Sequence, residues 1–274
     1  MIISRTTTSR VLLLLLVVLT ASALADPAAA QGRRGGRGGG AARNDTTGQG
    51  GAPSLRALVA ASAGESDLRL VTRRFEQDLS NLRARYDVPY SPVRIERERR
   101  FFQGWGSAVQ SLNAGDLNAA GQSEHALLLN RIEEGLGELD QQEQYAREWA
   151  PLLPFARSMQ MLQERRRDRL DVDGQQAAQT VEDVRKEVLL LTTAVSDTTG
   201  TDHAAALRSI TPAIAGRAVE HIGTLRENLE SWHTYYTGFD PLFTWWVRTP
   251  YAELGEALDA YVRAIQARWR PSVD

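Results

Sequence analysis

Apolar residues recur every three or four positions from residue 55 onward, which is the spacing of one face of an α-helix. No stretch alternates with the period of two that a half-buried strand shows. The pattern therefore predicts an all-α fold, an irregular multi-helix bundle of about seven or eight helices. The clearest stripes cover residues 68–86, 95–112, 129–139, 155–162, 181–195, 214–236 and 251–269.

Residues that favour helix ends lie beside these stripes. Asp67 is the predicted N-cap of the first long helix. Ser91-Pro92, Asp240-Pro241 and Thr249-Pro250 each combine a capping residue with a proline, a pair typical of a helix start. Gly238 is the predicted stop of the helix over 214–236.

The first 25 residues have the pattern of a secretory signal peptide. Arg5 and Arg10 precede an unbroken apolar run over 11–19, and Ala23-Leu24-Ala25 is a small-x-small cleavage site. The run is too short for an ordinary transmembrane helix. The interpretation is a cleaved signal and a periplasmic or secreted protein, with an uncleaved N-terminal anchor as the alternative.

Residues 26–53 form a linker that is rich in glycine, arginine and alanine. This segment has almost no apolar bulk with which to offset the entropy of ordering, so we expect a disordered tether. Its Arg-Gly repeats also fit an RNA-binding box. An exported chain rarely meets RNA, which favours the tether. The helical domain is then predicted over 54–274.

Charge and cysteine content exclude several classes of protein. Residues 1–53 hold six arginines and two acids, which leaves 26 basic and 32 acidic residues in the rest of the chain. An acidic folded domain argues against nucleic-acid binding, and we expect membrane contact only through the signal segment. The absence of cysteine rules out disulfides, thiolate metal sites and cysteine nucleophiles.

No catalytic or metal-ligating constellation is present in the sequence. Glu230 and His233 have the Glu-x-x-His spacing of a di-iron bundle, but the chain has no second copy of that motif. Walker, nucleophile-elbow and zinc-protease motifs are also missing. We therefore predict no catalytic residue, no metal ligand and no cofactor in this chain.

Aromatic side chains are densest between residues 232 and 251. Three interpretations stay open: a groove for peptide or sugar, a helix corner packed with aromatics, and a docking surface for another domain or subunit. The packed corner is favoured over the groove. The candidate docking or binding residues are Trp232, Tyr236, Phe239, Asp240, Phe243, Trp245, Trp246 and Tyr251.

Two sequence blocks resemble the bacterial family called domain of unknown function 885. The first is Ala-Pro-Leu-Leu-Pro-Phe at 150–155, and the second is Phe-Asp-Pro-Leu-Phe-Thr-Trp-Trp at 239–246, followed by Thr249-Pro250-Tyr251. The resemblance covers roughly residues 55–270 and matches the N-terminal half of such proteins. It implies an exported helical protein whose other half looks like a zinc metallopeptidase, with a His-His pair and a downstream glutamate as ligands.

None of those metal motifs occurs in these 274 residues. The resemblance therefore implies a substrate-channel or lid half that is not active alone, with zinc and catalysis supplied by a C-terminal catalytic half or another subunit. The alternative hypothesis is a cell-envelope binding module that uses the aromatic corner. A complete hydrolase with an unrecognised site is the least supported hypothesis.

Overall fold

The apolar stripes fold into α-helices in the computed structural model, which describes residues 55–62, 66–197, 207–238 and 240–270. Within these residues there are eight α-helices and no strand, which confirms the predicted all-α bundle. The predicted signal and linker lie outside the described residues. The helices are α1 (Leu55–Ala61), α2 (Arg69–Arg85), α3 (Pro92–Gln110), α4 (Ala119–Trp149), α5 (Ala156–Arg167), α6 (Gly174–Ser196), α7 (Pro212–Thr237) and α8 (Pro241–Arg268).

Five of the long helices begin at a residue whose side chain accepts a hydrogen bond from the backbone N–H three positions further on. Two of these starts, Ser91 and Asp240, are the predicted ones, and Gly238 is the C-cap of α7 as predicted. The five N-caps are Ser91, Asn118, Asp173, Thr211 and Asp240.

The prediction of Asp67 as the N-cap of α2 is wrong. Leu68 occupies the N-cap position and contributes no side-chain hydrogen bond. The Asp67 carboxylate instead accepts a bond of 2.8 Å from the backbone N–H of Asn118, which caps α4. Asp67 thus ties the start of α2 to the start of α4, a contact that local sequence spacing does not reveal.

The prediction of a separate helix start at Thr249-Pro250 is also wrong. Helix α8 continues through Pro250 from Pro241 to Arg268. Proline lacks the N–H that the carbonyl of Trp246 would otherwise accept, so the helix loses one internal hydrogen bond there. Burial of the apolar stripe beyond it, on residues such as Leu254 and Leu258, outweighs that loss.

Helices α2, α3 and α4 form a first bundle in which neighbours along the chain run in opposite directions. Aromatic rings fill its core: Phe75 meets Trp105 edge to face, with ring centroids 5.4 Å apart. Glu98 is buried beside this core and accepts hydrogen bonds from Arg83 at 3.0 Å and Arg94 at 2.7 Å. The buried carboxylate is thereby paired on both oxygens, as burial of a charge requires.

Helices α5 to α8 form a second bundle with its own hydrophobic core. Helices α6 and α8 run side by side in the same direction, joined by an Arg185–Glu253 ion pair of 3.3 Å at mid-length. At their far ends, Arg268 donates to the carbonyl oxygen of Val195 at 2.8 Å. Helix α7 runs antiparallel to α8, and the Arg226–Asp259 ion pair links the two.

Helix α4 connects the two bundles because it contributes to both cores. Leu128, Ile132 and Leu139 lie in the first core, and Trp149, the last residue of the helix, lies in the second. With 31 residues, α4 is about 46 Å long. One continuous helix therefore fixes the position of one bundle relative to the other.

The ring of Phe102 on α3 packs directly against Gly135 on α4. A Cβ atom added there would lie 2.3 Å from Cζ of Phe102, whereas one added at Gly137 on the same helix would meet nothing within 4 Å. Gly135 is thus required by packing, and Gly137 is not.

We therefore expect opposite effects from two alanine substitutions on α4. Gly135→Ala should lower the free energy of unfolding by about 1–3 kcal/mol, because the Phe102 ring has to move. Gly137→Ala should raise it by about 1 kcal/mol through helix propensity alone. Denaturant titration of the two variants measures both values, and equal effects would contradict the close approach.

Candidate functional site

The aromatic corner is built where α7 turns into α8. Helix α7 ends at Thr237 with Gly238 as its C-cap, and Asp240 starts α8 by accepting a bond of 3.0 Å from the N–H of Phe243. Asp240 is therefore a capping residue. Phe239 lies outside the described residues.

One half of the aromatic corner belongs to the hydrophobic core of the second bundle. Trp232, Tyr236 and Phe243 are buried, and Phe243 meets Trp232 edge to face at 5.0 Å. Gly174, the first residue of α6, lets this corner close, since a Cβ atom there would lie 2.9 Å from Cα of Phe243. These three rings pack together in the core and fix the angle between α7 and α8.

Tyr251 takes part in a stacked pair at the edge of the core. Its ring lies on that of His233 with centroids 3.8 Å apart and planes within 6°. Burial lowers the pKa of His233 and raises the pKa of Tyr251, and the nearby Glu230 carboxylate raises the pKa of Tyr251 further. Both rings are therefore neutral near pH 7, which suits stacking.

The other half of the corner faces solvent. Leu242 is 72% exposed, Trp245 66% and Trp246 39%, and the two indole rings meet at 81° with centroids 4.6 Å apart. The spacing of these three residues is i, i+3 and i+4, so they share one side of α8. We call them the tryptophan face.

A cavity of about 260 Å³ adjoins the buried half of the corner. Apolar walls come from Met161 and Leu162 of α5 and from the rings of Trp232 and Tyr236. The charged side chains among the lining residues are Arg165, Asp171 and Asp173. Its size fits one side chain or one small ring rather than a long polymer.

Close to this cavity, α5 ends in its run of arginines. Arg169 has a φ of 55° and follows the last helical turn, and the N–H of Leu170 donates back to the carbonyl of Arg165 at 3.1 Å. This is the left-handed helix ending usually made by glycine. The Arg166 guanidinium lies over the ring of Tyr235 at 5.2 Å, so part of the run packs on aromatics and does not simply face water.

The structure also contains a buried polar junction between the bundles that the sequence analysis missed. The turn between α2 and α3, residues 86–91, rests on α5. There Ser91 donates a hydrogen bond to the Glu164 carboxylate, which also accepts one of 2.7 Å from Arg157. Gln163 donates to Asp87 at 3.4 Å. Ser91, Gln163 and Glu164 are all buried.

His221 of α7 completes this junction among aromatic rings. Its imidazole stacks on Trp149 at 5.1 Å, and Tyr90 meets it edge-on at 4.8 Å. Tyr90 has a φ of 56°, a conformation that a bulky residue adopts only when the surroundings hold it. The apolar stripe over Ala218, Ile222 and Leu225 was the available signal, because it places His221 on the buried side of α7.

Burial without a compensating charge determines the protonation of His221. The side chain is 3% exposed, and its Nδ1 atom has no hydrogen-bond partner among the described residues. Desolvation lowers its pKa from 6.5 to about 4. His221 is therefore neutral at physiological pH and buried within the described residues.

The described ranges contain neither a cluster of metal-ligating side chains nor a membrane-spanning helix. No group of three or more histidine, aspartate and glutamate side chains is arranged there to hold a metal ion. None of the helices in that part of the chain combines the length and the apolar character that crossing a bilayer requires.

Comparison of the chain with protein-family models, with curated proteins and with solved structures finds no match. The family resemblance based on the blocks at 150–155 and 239–251 therefore stays a prediction.

The lowered pKa of His221 makes stability depend on pH. Between pH 6.5 and about 4 the unfolded chain binds a proton at this residue that the folded chain does not, so stability falls as the pH falls through this window. Between pH 7 and pH 4, the free energy of unfolding should fall by about 3 kcal/mol more in the wild type than in the His221→Phe variant, whose ring does not titrate. Denaturant titrations of both proteins at each pH measure the difference, and parallel losses would contradict the assignment.

Proposed function

We propose that the helical unit is a docking module that binds a protein partner through the tryptophan face. The observation that carries this proposal is the pair of exposed indoles on α8, at Trp245 and Trp246, next to the exposed Leu242. Tryptophan is enriched among the residues that dominate protein interfaces, and adjacent exposed apolar residues mark interaction sites.

The tryptophan face is not needed by the core of the second bundle. On the opposite side of the same helix, Phe243, Val247 and Leu254 are fully buried and fill that role. Within the described residues, the exposed apolar surface of Trp245 and Trp246 is therefore not part of the hydrophobic core. An interface that buried them would recover roughly 1.5–3 kcal/mol for each side chain.

This role agrees with the expected lid or substrate-channel half of a zinc-peptidase-like protein. The partner would then be a C-terminal catalytic half or another subunit, and the chain would not be active alone. The signal pattern over residues 1–25 supports export, so we place the interaction in the periplasm or outside the cell.

A cell-envelope binding module is the second candidate, and the cavity beside the corner favours it. A volume of about 260 Å³ lined by Met161 and Trp232, with Arg165, Asp171 and Asp173 at its polar side, suits a small amphipathic group, such as one sugar ring or one peptide side chain. In that case the ligand would bind the cavity and not the tryptophan face.

Site-specific photo-crosslinking in the native host distinguishes the two candidates. A photoreactive residue at Thr249, one turn beyond Trp245 on the exposed side of α8, should give one discrete protein adduct. The same residue at Leu190, which is also exposed and lies on α6, should give none. Adducts to glycan alone, or no adduct at Thr249, would refute docking of a protein on this face.

Replacing both indoles tests the face itself. Trp245→Ala combined with Trp246→Ala should abolish the Thr249 adduct, because the indoles supply most of the apolar contact. The free energy of unfolding should change by less than about 1 kcal/mol, since the exposed side chains contribute little to the core. Persistence of the adduct at wild-type yield would show that the tryptophans do not hold the partner.

A further inference from the structure

The first bundle has an open apolar groove between α2 and α4. Its volume is about 630 Å³, and Phe75, Leu79 and Leu128 lie at its base. These three residues are buried in the core, whereas Leu127 beside them is 67% exposed. Helices α2 and α4 make little direct contact along this stretch. The short helix α1 also packs on α2 through Leu55, but none of its residues lines the groove, so the groove between α2 and α4 has space for a further helix.

The residues that line the groove are arranged in helical steps. On α2 they extend from Thr72 to Arg83, and on α4 from Glu124 to Arg131. The twelve residues from Thr72 to Arg83 span about 16 Å, the length of about three helical turns. The wall on α4 spans about 10 Å, so a three-turn helix would contact α2 along its length and α4 over about two turns.

Charge differs between the two ends of the groove. Helices α2 and α4 run in the same direction, with the Thr72 hydroxyl 3.4 Å from the Glu124 carboxylate at one end. Glu76 and Glu124 therefore make that end acidic, and Arg83 and Arg131 make the other end basic.

Two of these charges have little to neutralise them within the described residues. Glu76 forms no salt bridge there, and the only carboxylate within 4 Å of the Arg131 guanidinium is that of Glu134, at 3.9 Å. Arg83, by contrast, already forms an ion pair with Glu98. Glu76 and Arg131 are thus the groups best placed to select a partner by charge.

We propose that this groove binds a three-turn amphipathic helix of a partner protein, which completes a four-helix arrangement. Basic residues of that helix would lie over Glu76 and Glu124, and acidic residues over Arg131. The site is in the first bundle and does not depend on the tryptophan face of the second.

Two other kinds of occupant fit the groove less well. An extended peptide would leave its backbone N–H and carbonyl groups against Phe75 and Leu79, which offer no hydrogen bonds, whereas a helix satisfies those groups internally. A membrane surface would require a basic rim, and this rim carries both signs.

A synthetic peptide tests the proposal with the full chain. The probe is a fluorescein-labelled 15-residue helix with leucines at positions i, i+3, i+4 and i+7, glutamates in its first turn and lysines in its last turn. Fluorescence anisotropy should show saturable binding. A control peptide in which the lysines are replaced by glutamates should bind at least about tenfold more weakly, because one end then meets Glu76 and Glu124.

Variants of the groove locate the peptide. Leu127→Glu should weaken binding by about tenfold or more, since it removes one buried leucine from the interface. Leu190→Glu, at an exposed leucine of α6, should leave the affinity unchanged. Ser80→Trp fills the groove from its exposed edge and gives an independent test if Leu127→Glu impairs folding, which circular dichroism detects.

The orientation of the peptide tests the charge assignment separately. A nitroxide on the lysine end should broaden the amide resonance of Glu76 more strongly than that of Arg83, which lies about 10 Å further along α2. Absence of saturable binding, or binding that neither groove variant weakens, would overturn the proposal. Stronger broadening at Arg83 than at Glu76 would overturn the charge order.

Discussion

Helix α4 is the constraint on which both bundles depend, because one unbroken run of 31 residues enters two separate hydrophobic cores. Ile132 packs against the first core and Trp149 against the second. Proteins hold rigid elements in place by close packing, so a tilt of α4 would disturb both cores at once. The position of the α2–α4 groove relative to α5–α8 follows from this single helix.

The junction beside α4 adds specificity to that connection. Burial of polar groups is costly unless each one is hydrogen-bonded, and the Glu164 carboxylate meets that condition through Ser91 and Arg157. Tyr90, held at positive φ in the turn that packs on α5, contacts both His221 and Trp149. Apolar packing alone would tolerate several ways of joining two bundles, whereas these pairs favour one.

Periodicity predicted the long helices well because each stripe buries its own face, and two helix starts, at Ser91 and Asp240, followed from local caps. The failures have long-range causes. The Asp67 carboxylate accepts a hydrogen bond from the backbone N–H of Asn118, 51 positions further along the chain. Helix α8 continues through Pro250 because the apolar residues that follow it are buried. The aromatic corner was found as one cluster, but its division into buried Phe243 and exposed Trp245 depends on which side of α8 meets α6 and α7.

Native-state hydrogen exchange tests most directly whether α4 and the junction make the two cores one cooperative unit. The amides to follow are those of Phe102 in α3 and Leu258 in α8, both of which lie in helix interiors and carry buried side chains. As denaturant is raised, we predict that their opening free energies converge on one value, equal to that of global unfolding. Two different plateaus, one for each core, would show that the bundles unfold independently and would contradict the role given to α4.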